Sequence, residues 1–89
     1  MPGVIDTNIL LYAVNSASAE HSAARAFLDG ALRSAEAWFL SDGIVYEFLR
    51  VATHPKVFPK PLEWKQALQF VVPICESDNF QILSSSRQH

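Results

Sequence analysis

Two acidic residues, Asp6 and Glu47, stand at positions from which their carboxylates could share a divalent cation. Asp6 closes a short apolar run at residues 3–5 that is typical of a buried strand. Glu47 lies one to two turns into a predicted helix that follows a second apolar run at 37–40. Ligands of open parallel sheets bind beyond the carboxyl ends of the strands, so we expect both side chains at that edge.

The position of Glu47 in its helix gives a reason to expect a metal. Its spacing from Ile44, Phe48 and Val51 places it on or beside the face that meets the sheet. A carboxylate there must be paired, protonated or metal-bound, because burying it alone is costly. Arg50 could pair with it on the helix surface. Two converging carboxylates favour Mg²⁺ or Mn²⁺, which prefer oxygen ligands. The shared site fails if the two carboxylates lie far apart or if an arginine holds either of them.

Each acid also has a simpler interpretation. Asp6, with Thr7 and Asn8 behind it, could serve only as the N-cap of a helix. Glu47 could be a boundary residue whose carboxylate lies in water. These interpretations stay open beside the metal site.

The elements that must position the two acids alternate between strand-like and helical patterns along one domain, residues 1–89. Ser41 and Asp42 are predicted to cap the third helix, and Pro73 is predicted to end the fourth. This order predicts an α/β fold with a short parallel sheet flanked by helices. The predicted strands are 3–5, 37–40 and 79–83, and the predicted helices are 7–15, 19–34, 43–53 and 62–72.

Composition excludes several classes of protein. The chain is 49% hydrophobic and 18% charged, unlike a disordered chain, and its single cysteine, Cys75, excludes an internal disulfide. No apolar run approaches the roughly 20 residues that a bilayer requires, so we expect a soluble, cytoplasmic protein without a membrane partner. Trp38, Trp64 and Phe80 are interpreted as core residues.

A local excess of positive charge lies between residues 50 and 65, although the chain carries a formal net charge of -2. Four cations face one anion in this stretch, which three prolines stiffen. Such a loop could contact phosphates, and it could equally be a solvated loop. The candidates for such contact are Arg50, Lys56 and Lys60.

Two segments resemble one protein family. The run VIDTNILLYA at residues 4–13 resembles the opening of PIN-domain ribonucleases, specifically VapC-type toxins of toxin–antitoxin modules. The run YEFLRVATHP at 46–55 is similar to a second segment of one branch of that family. Either run alone is a weak signal, but together they are fairly specific, and the similarity covers nearly all 89 residues in order.

The resemblance implies a PIN-like three-layer fold and a Mg²⁺-dependent (or Mn²⁺-dependent) endoribonuclease. Asp6 and Glu47 would be its metal-binding, catalytic acids, while Thr7 and Asn8 would hold the loop around Asp6. A metal-activated water would attack the phosphodiester. The family's partners would be RNA, a VapB-like antitoxin and a second copy of the chain.

The sequence departs from the family pattern near its C-terminus. The family completes its acidic site with one or two further aspartates after the third strand, and these 89 residues stop before them. Asp78 precedes that strand and so belongs to the opposite edge of the sheet. We therefore expect the N-terminal two-thirds of a PIN-like domain, incomplete at its C-terminus, with weak or absent nuclease activity if this is the whole molecule.

Two other functions compete with this interpretation. A phosphatase of the haloacid-dehalogenase type also places an aspartate after its first strand, but it needs a second aspartate where this chain has Asn8. A shortened PIN domain could instead act without catalysis, in dimerisation or in binding an antitoxin. That alternative predicts exposed apolar surface.

Overall fold

Four helices and a short parallel sheet form the part of the chain that the structure describes, as predicted. The computed structural model describes residues 3–56 and 60–83, so part of the basic loop lies outside the described residues. None of the described helices is both long enough and apolar enough to span a bilayer. The elements in chain order are α1 (Thr7–Val14), α2 (His21–Arg33), β1 (Trp38–Ser41), α3 (Asp42–Ala52), α4 (Trp64–Cys75) and β2 (Phe80–Leu83).

The central strand of the sheet is β1. It pairs in parallel with β2, with Trp38 opposite Phe80. On its other side, Val4 forms a single parallel bridge with Phe39, whose N–H donates to the carbonyl of Gly3 at 2.9 Å. The predicted first strand is thus reduced to one bridging residue, because the chain turns into α1 directly after residue 6.

The core is apolar throughout. Its largest fully buried side chains come from five parts of the chain, and no polar or charged residue of the described part is fully buried. The ring of Phe48 on α3 lies 5.4 Å from that of Phe70 on α4, so the two helices share this core. The five largest buried side chains are Phe48, Ile5, Leu10, Leu40 and Val71.

The prediction that Pro73 ends the fourth helix is wrong. Helix α4 continues through it to Cys75, and the N–H of Glu76 still donates to the carbonyl of Val72 at 3.0 Å. Proline removes one donor, and a position this close to the end of the helix leaves few later hydrogen bonds to disturb. The helix also starts later than predicted, at Trp64, where Gln66 Oε1 accepts the N–H of Glu63 at 3.0 Å.

The two tryptophans occupy different surroundings. Trp38 is half-buried and meets Phe27 edge-on, with ring centroids 5.4 Å apart, while its indole N–H is buried without a partner in the described part of the chain. Trp64 is 55% exposed, so its assignment to the core was wrong, since the first turn of α4 turns this side chain outward. Phe80 is buried, as predicted.

Asn79 fixes the sheet against α2. Its Nδ2 donates to the carbonyls of Ala31 at 2.6 Å, Ser34 at 3.0 Å and Glu36 at 3.3 Å, which lie at and just after the end of that helix. Its own carbonyl accepts the N–H of Trp38 at 2.8 Å. One side chain thus donates to carbonyls at and beyond the end of α2, although that of Ala31 also accepts the N–H of Ser34 at 3.2 Å.

Candidate metal centre

Asp6 occupies the N-cap position of α1, but its carboxylate does not cap the helix. Its backbone is extended, with φ −81° and ψ 152°, and its side chain forms no cap hydrogen bond. The side chain is exposed and forms no ion pair with any described residue. The simpler interpretation of Asp6 as a helix cap therefore leaves its carboxylate unexplained.

The carboxyl edge of the sheet brings Asp6 level with the start of α3. Val4 is bridged to Phe39 in parallel, so Asp6 lies at the level of Ser41 two residues further along. Ser41 Oγ accepts the N–H of Ile44 at 3.0 Å, which is the predicted cap of α3. Helices α1 and α3 begin at the same edge and pack against each other.

Glu47 lies on the second turn of α3, and its surroundings differ from those predicted. Its side chain is 43% exposed and binds the guanidinium of Arg50 at 2.6 Å. The premise of a buried carboxylate was wrong because the neighbouring Phe48 takes the buried position on this helix. The ion pair is exposed, and pairs of this kind contribute at most about 1 kcal/mol. The condition set against the shared site is therefore met at Glu47, which an arginine holds, and a cation there would first have to displace Arg50.

Carboxylate oxygens are the ligands that suit a hard divalent cation that keeps most of its water. Mg²⁺ is commonly bound through one or two carboxylates, with waters completing its octahedron. No group of three or more Asp, Glu, His or Cys side chains is assembled within residues 3–56 and 60–83. Asp6 and Glu47 are therefore candidates for a two-carboxylate site.

A third acid, Asp42, also lies at this edge of the sheet. From the sequence it was predicted only to help cap the third helix. It directly follows β1, at the same edge as Asp6. Its position directly after a predicted strand could have indicated, from the sequence alone, that Asp42 lies at this edge. Asp78, by contrast, precedes β2 at the amino end of the sheet, as predicted.

The residues proposed to support the site or to contact RNA are all accessible. Thr7 is half-buried and Asn8 exposed, and neither side chain forms a hydrogen bond with another described residue. Lys56 and Lys60 are exposed, without an ion pair among the described residues, whereas Arg50 is held by Glu47. Residues 57–59, between the two lysines, lie outside the described part.

Comparison with known proteins identifies the family. The chain is 31% identical over 86 residues to a protein named Ribonuclease VapC37 from Mycobacterium tuberculosis (strain ATCC 25618 / H37Rv). The match covers 97% of this chain and 60% of that relative, so the chain spans less than two-thirds of the relative's length. This similarity confirms the resemblance to VapC-type proteins. The model of the PIN domain matches residues 3–89, and the chain therefore belongs to the PIN-domain family.

Proposed function

We propose that this chain carries the first acids of a VapC-like endoribonuclease that hydrolyses RNA phosphodiester bonds with Mg²⁺ or Mn²⁺. The observation that supports this most directly is Asp6, an exposed carboxylate at the carboxyl edge of the sheet that neither caps its helix nor pairs with a described residue. Glu47, on the helix that packs against α1, supplies the second carboxylate.

Each residue has a stated role in this proposal. When bound, a divalent cation supplies an activated water and neutralises charge on the phosphate oxygens. Asp6 holds the cation, and Glu47 binds it after leaving Arg50. The guanidinium that is set free can then contact a phosphate of the RNA, as can Lys56 and Lys60. Thr7 and Asn8 begin α1 directly after Asp6, and within the described residues their side chains form no hydrogen bond that would hold the backbone there.

The proposed partners are RNA, a VapB-like antitoxin and a second copy of this chain, in the cytoplasm. Apolar side chains exposed on the described surface support protein partners, because such surface marks interfaces. They support equally the alternative function, a non-catalytic piece that dimerises or binds an antitoxin. The exposed large apolar side chains are Val4, Phe27, Tyr46, Trp64, Leu68, Val72 and Ile82.

The test titrates Mn²⁺ and Mg²⁺ into the 89-residue chain and follows its melting temperature and its cleavage of a single-stranded RNA. We expect a rise in melting temperature that is lost in Asp6→Asn and reduced in Glu47→Gln, and weak cleavage lost in both. Asp78→Asn, at the opposite edge, is the matched control. An equal rise in all four proteins would contradict the metal site, and a rise without cleavage would favour the non-catalytic alternative.

A further inference from the structure

Tyr46 on α3 is the most exposed of the large apolar side chains in the described part of the chain. It is 66% exposed, whereas Phe48, two positions later, is fully buried. Two positions span about 200° around a helix, so the ring of Tyr46 points away from the core. Within the described residues its hydroxyl forms no hydrogen bond and its ring meets no other aromatic ring. The ring therefore contributes little to the packing of the fold.

Charged side chains surround Tyr46 on the outer surface of α3. Asp42 lies one turn before it, Arg50 one turn after it, and Glu47 is the next residue along the chain. Charged residues are depleted from the centres of protein interfaces, although tyrosine itself is enriched there. These surroundings favour a charged ligand with a flat apolar part, such as a nucleotide, over an apolar protein surface.

The helix directs the ring of Tyr46 towards the carboxyl edge of the sheet. Helical side chains lean towards the N-terminus of their helix, and α3 begins at that edge with Ser41 as its cap. Tyr46 lies only about 6 Å along the helix axis from Asp42. Gly43, three positions before Tyr46, carries no side chain that would cover the ring. A flat group that approaches the acids at this edge therefore meets an open aromatic face.

We propose that Tyr46 stacks on an unpaired base of the RNA, beside the phosphate that the candidate metal centre binds. Every nucleobase has a π-face, so stacking tolerates different sequences, but it needs a base that is not already stacked inside a duplex. Arg50, one turn further along α3, can contact the backbone of the same strand once Glu47 releases it. The site therefore takes single-stranded RNA. The proposal rests on the proposed RNA substrate, but the stack does not pass through the metal.

Fluorescence anisotropy with a short single-stranded RNA at low ionic strength tests the stack, in EDTA and again with Mn²⁺. Tyr46→Ala should raise the RNA dissociation constant at least about fivefold in both solutions, whereas Tyr46→Phe, which keeps the ring, should stay within about twofold. Alanine favours a helix and Tyr46 is exposed, so both variants should fold, which circular dichroism checks. Gln69→Ala, which shortens an exposed side chain on α4, is the matched control and should bind RNA as the original chain does.

Two further RNA ligands separate stacking from a general loss of affinity. The effect of Tyr46→Ala should disappear with an RNA of abasic nucleotides and with the same RNA annealed into a duplex. The ratio of the variant's dissociation constant to that of the original chain should not change as salt is raised, because stacking involves no net charge, whereas contacts with phosphate weaken.

The outcomes distinguish the stack from the proposed function. An equal effect of Tyr46→Ala on abasic RNA, or an equal loss in Tyr46→Phe, overturns the stack. Unchanged RNA binding in Tyr46→Ala also overturns it, while the RNA substrate and the metal site stand. A chain that binds no RNA contradicts both the stack and the RNA substrate. The Mn²⁺-induced rise in melting temperature should be the same in Tyr46→Ala, Tyr46→Phe and the original chain, so a failure of the metal site appears separately.

Discussion

The guanidinium of Arg50 donates a hydrogen bond to Oε2 of Glu47 at 2.6 Å, across one turn of α3. Both side chains are roughly half-exposed, so water screens the pair and the pair is weak. The interaction nevertheless links two proposed roles, since Glu47 cannot bind a cation and Arg50 cannot bind a phosphate while they hold each other.

Replacing Arg50 should therefore separate metal binding from RNA binding. In Arg50→Ala, the Mn²⁺ dissociation constant should fall by up to about fivefold. The reason is that Mn²⁺ no longer has to break the Glu47–Arg50 ion pair, which contributes at most about 1 kcal/mol. Affinity for RNA should fall at the same time. Calorimetry measures the first effect and fluorescence anisotropy the second. Arg50→Lys, which keeps the charge, is the control. Weaker Mn²⁺ binding in Arg50→Ala than in the original chain would contradict this prediction.

The two helix starts at the carboxyl edge should respond differently to mutation. Ser41→Ala should lower the free energy of unfolding by about 1 kcal/mol, because Ser41 Oγ accepts the N–H of Ile44. Asp6→Asn should change it by less than about 0.5 kcal/mol, since its carboxylate accepts no cap hydrogen bond. Urea unfolding without metal measures both. A loss at Asp6 as large as that at Ser41 would show that the carboxylate has a structural role.

Loss of the Asn79 amide should weaken the whole fold. Asn79→Ala leaves the carbonyl of Ser34 without its side-chain donor, while that of Ala31 keeps only the N–H of Ser34, and should cost about 1–3 kcal/mol in urea unfolding. Asn15→Ala is the matched control, because Asn15 Oδ1 accepts only the N–H of Ala17 in an exposed turn, at 3.2 Å. Equal losses in the two variants would mean that the long-range contacts of Asn79 add nothing.

Cys75 should react slowly while the protein is folded. Burial, with a smaller contribution from the Glu76 carboxylate, raises the pKa of the Cys75 thiol. The thiolate is the nucleophile, so alkylation by iodoacetamide at pH 8 should be slower in the folded protein than in urea. Glu76→Gln should speed it slightly.

The same shift sets a direction for the dependence of stability on pH. The folded protein keeps the thiol proton to a higher pH than the unfolded chain does. The contribution of Cys75 is therefore present below the ordinary thiol pKa and is lost as the pH rises through the raised pKa. Cys75→Ser should remove this alkaline loss in urea titrations, and an unchanged slope would contradict the assignment.

Local patterns predicted α3 well because its determinants are close in sequence. The cap by Ser41 and the burial of Phe48 and Ala52 follow from spacing alone. The parallel pairing of the strands and the placement of Asp6 at their carboxyl edge also follow from the order of elements.

Three features did not follow from local pattern. The first strand is cut to one bridge because the helix after it starts so early. The exposure of Glu47 depends on how α3 is rotated over the sheet, which is a property of packing. The contact between Asn79 and Ala31 joins residues 48 positions apart, and no local sequence pattern predicts it.

The contrast between Trp38 and Trp64 gives the protein two optical reporters. The half-buried indole of Trp38 lies edge-on against Phe27, whereas the ring of Trp64 at the first turn of α4 is exposed to water. Acrylamide should therefore quench the emission in two phases, the readily quenched one belonging to Trp64. Replacing Trp64 by phenylalanine would leave only the fluorescence of Trp38, which reports on the junction of α2 with the sheet. Unfolding of that junction could then be followed without a contribution from α4.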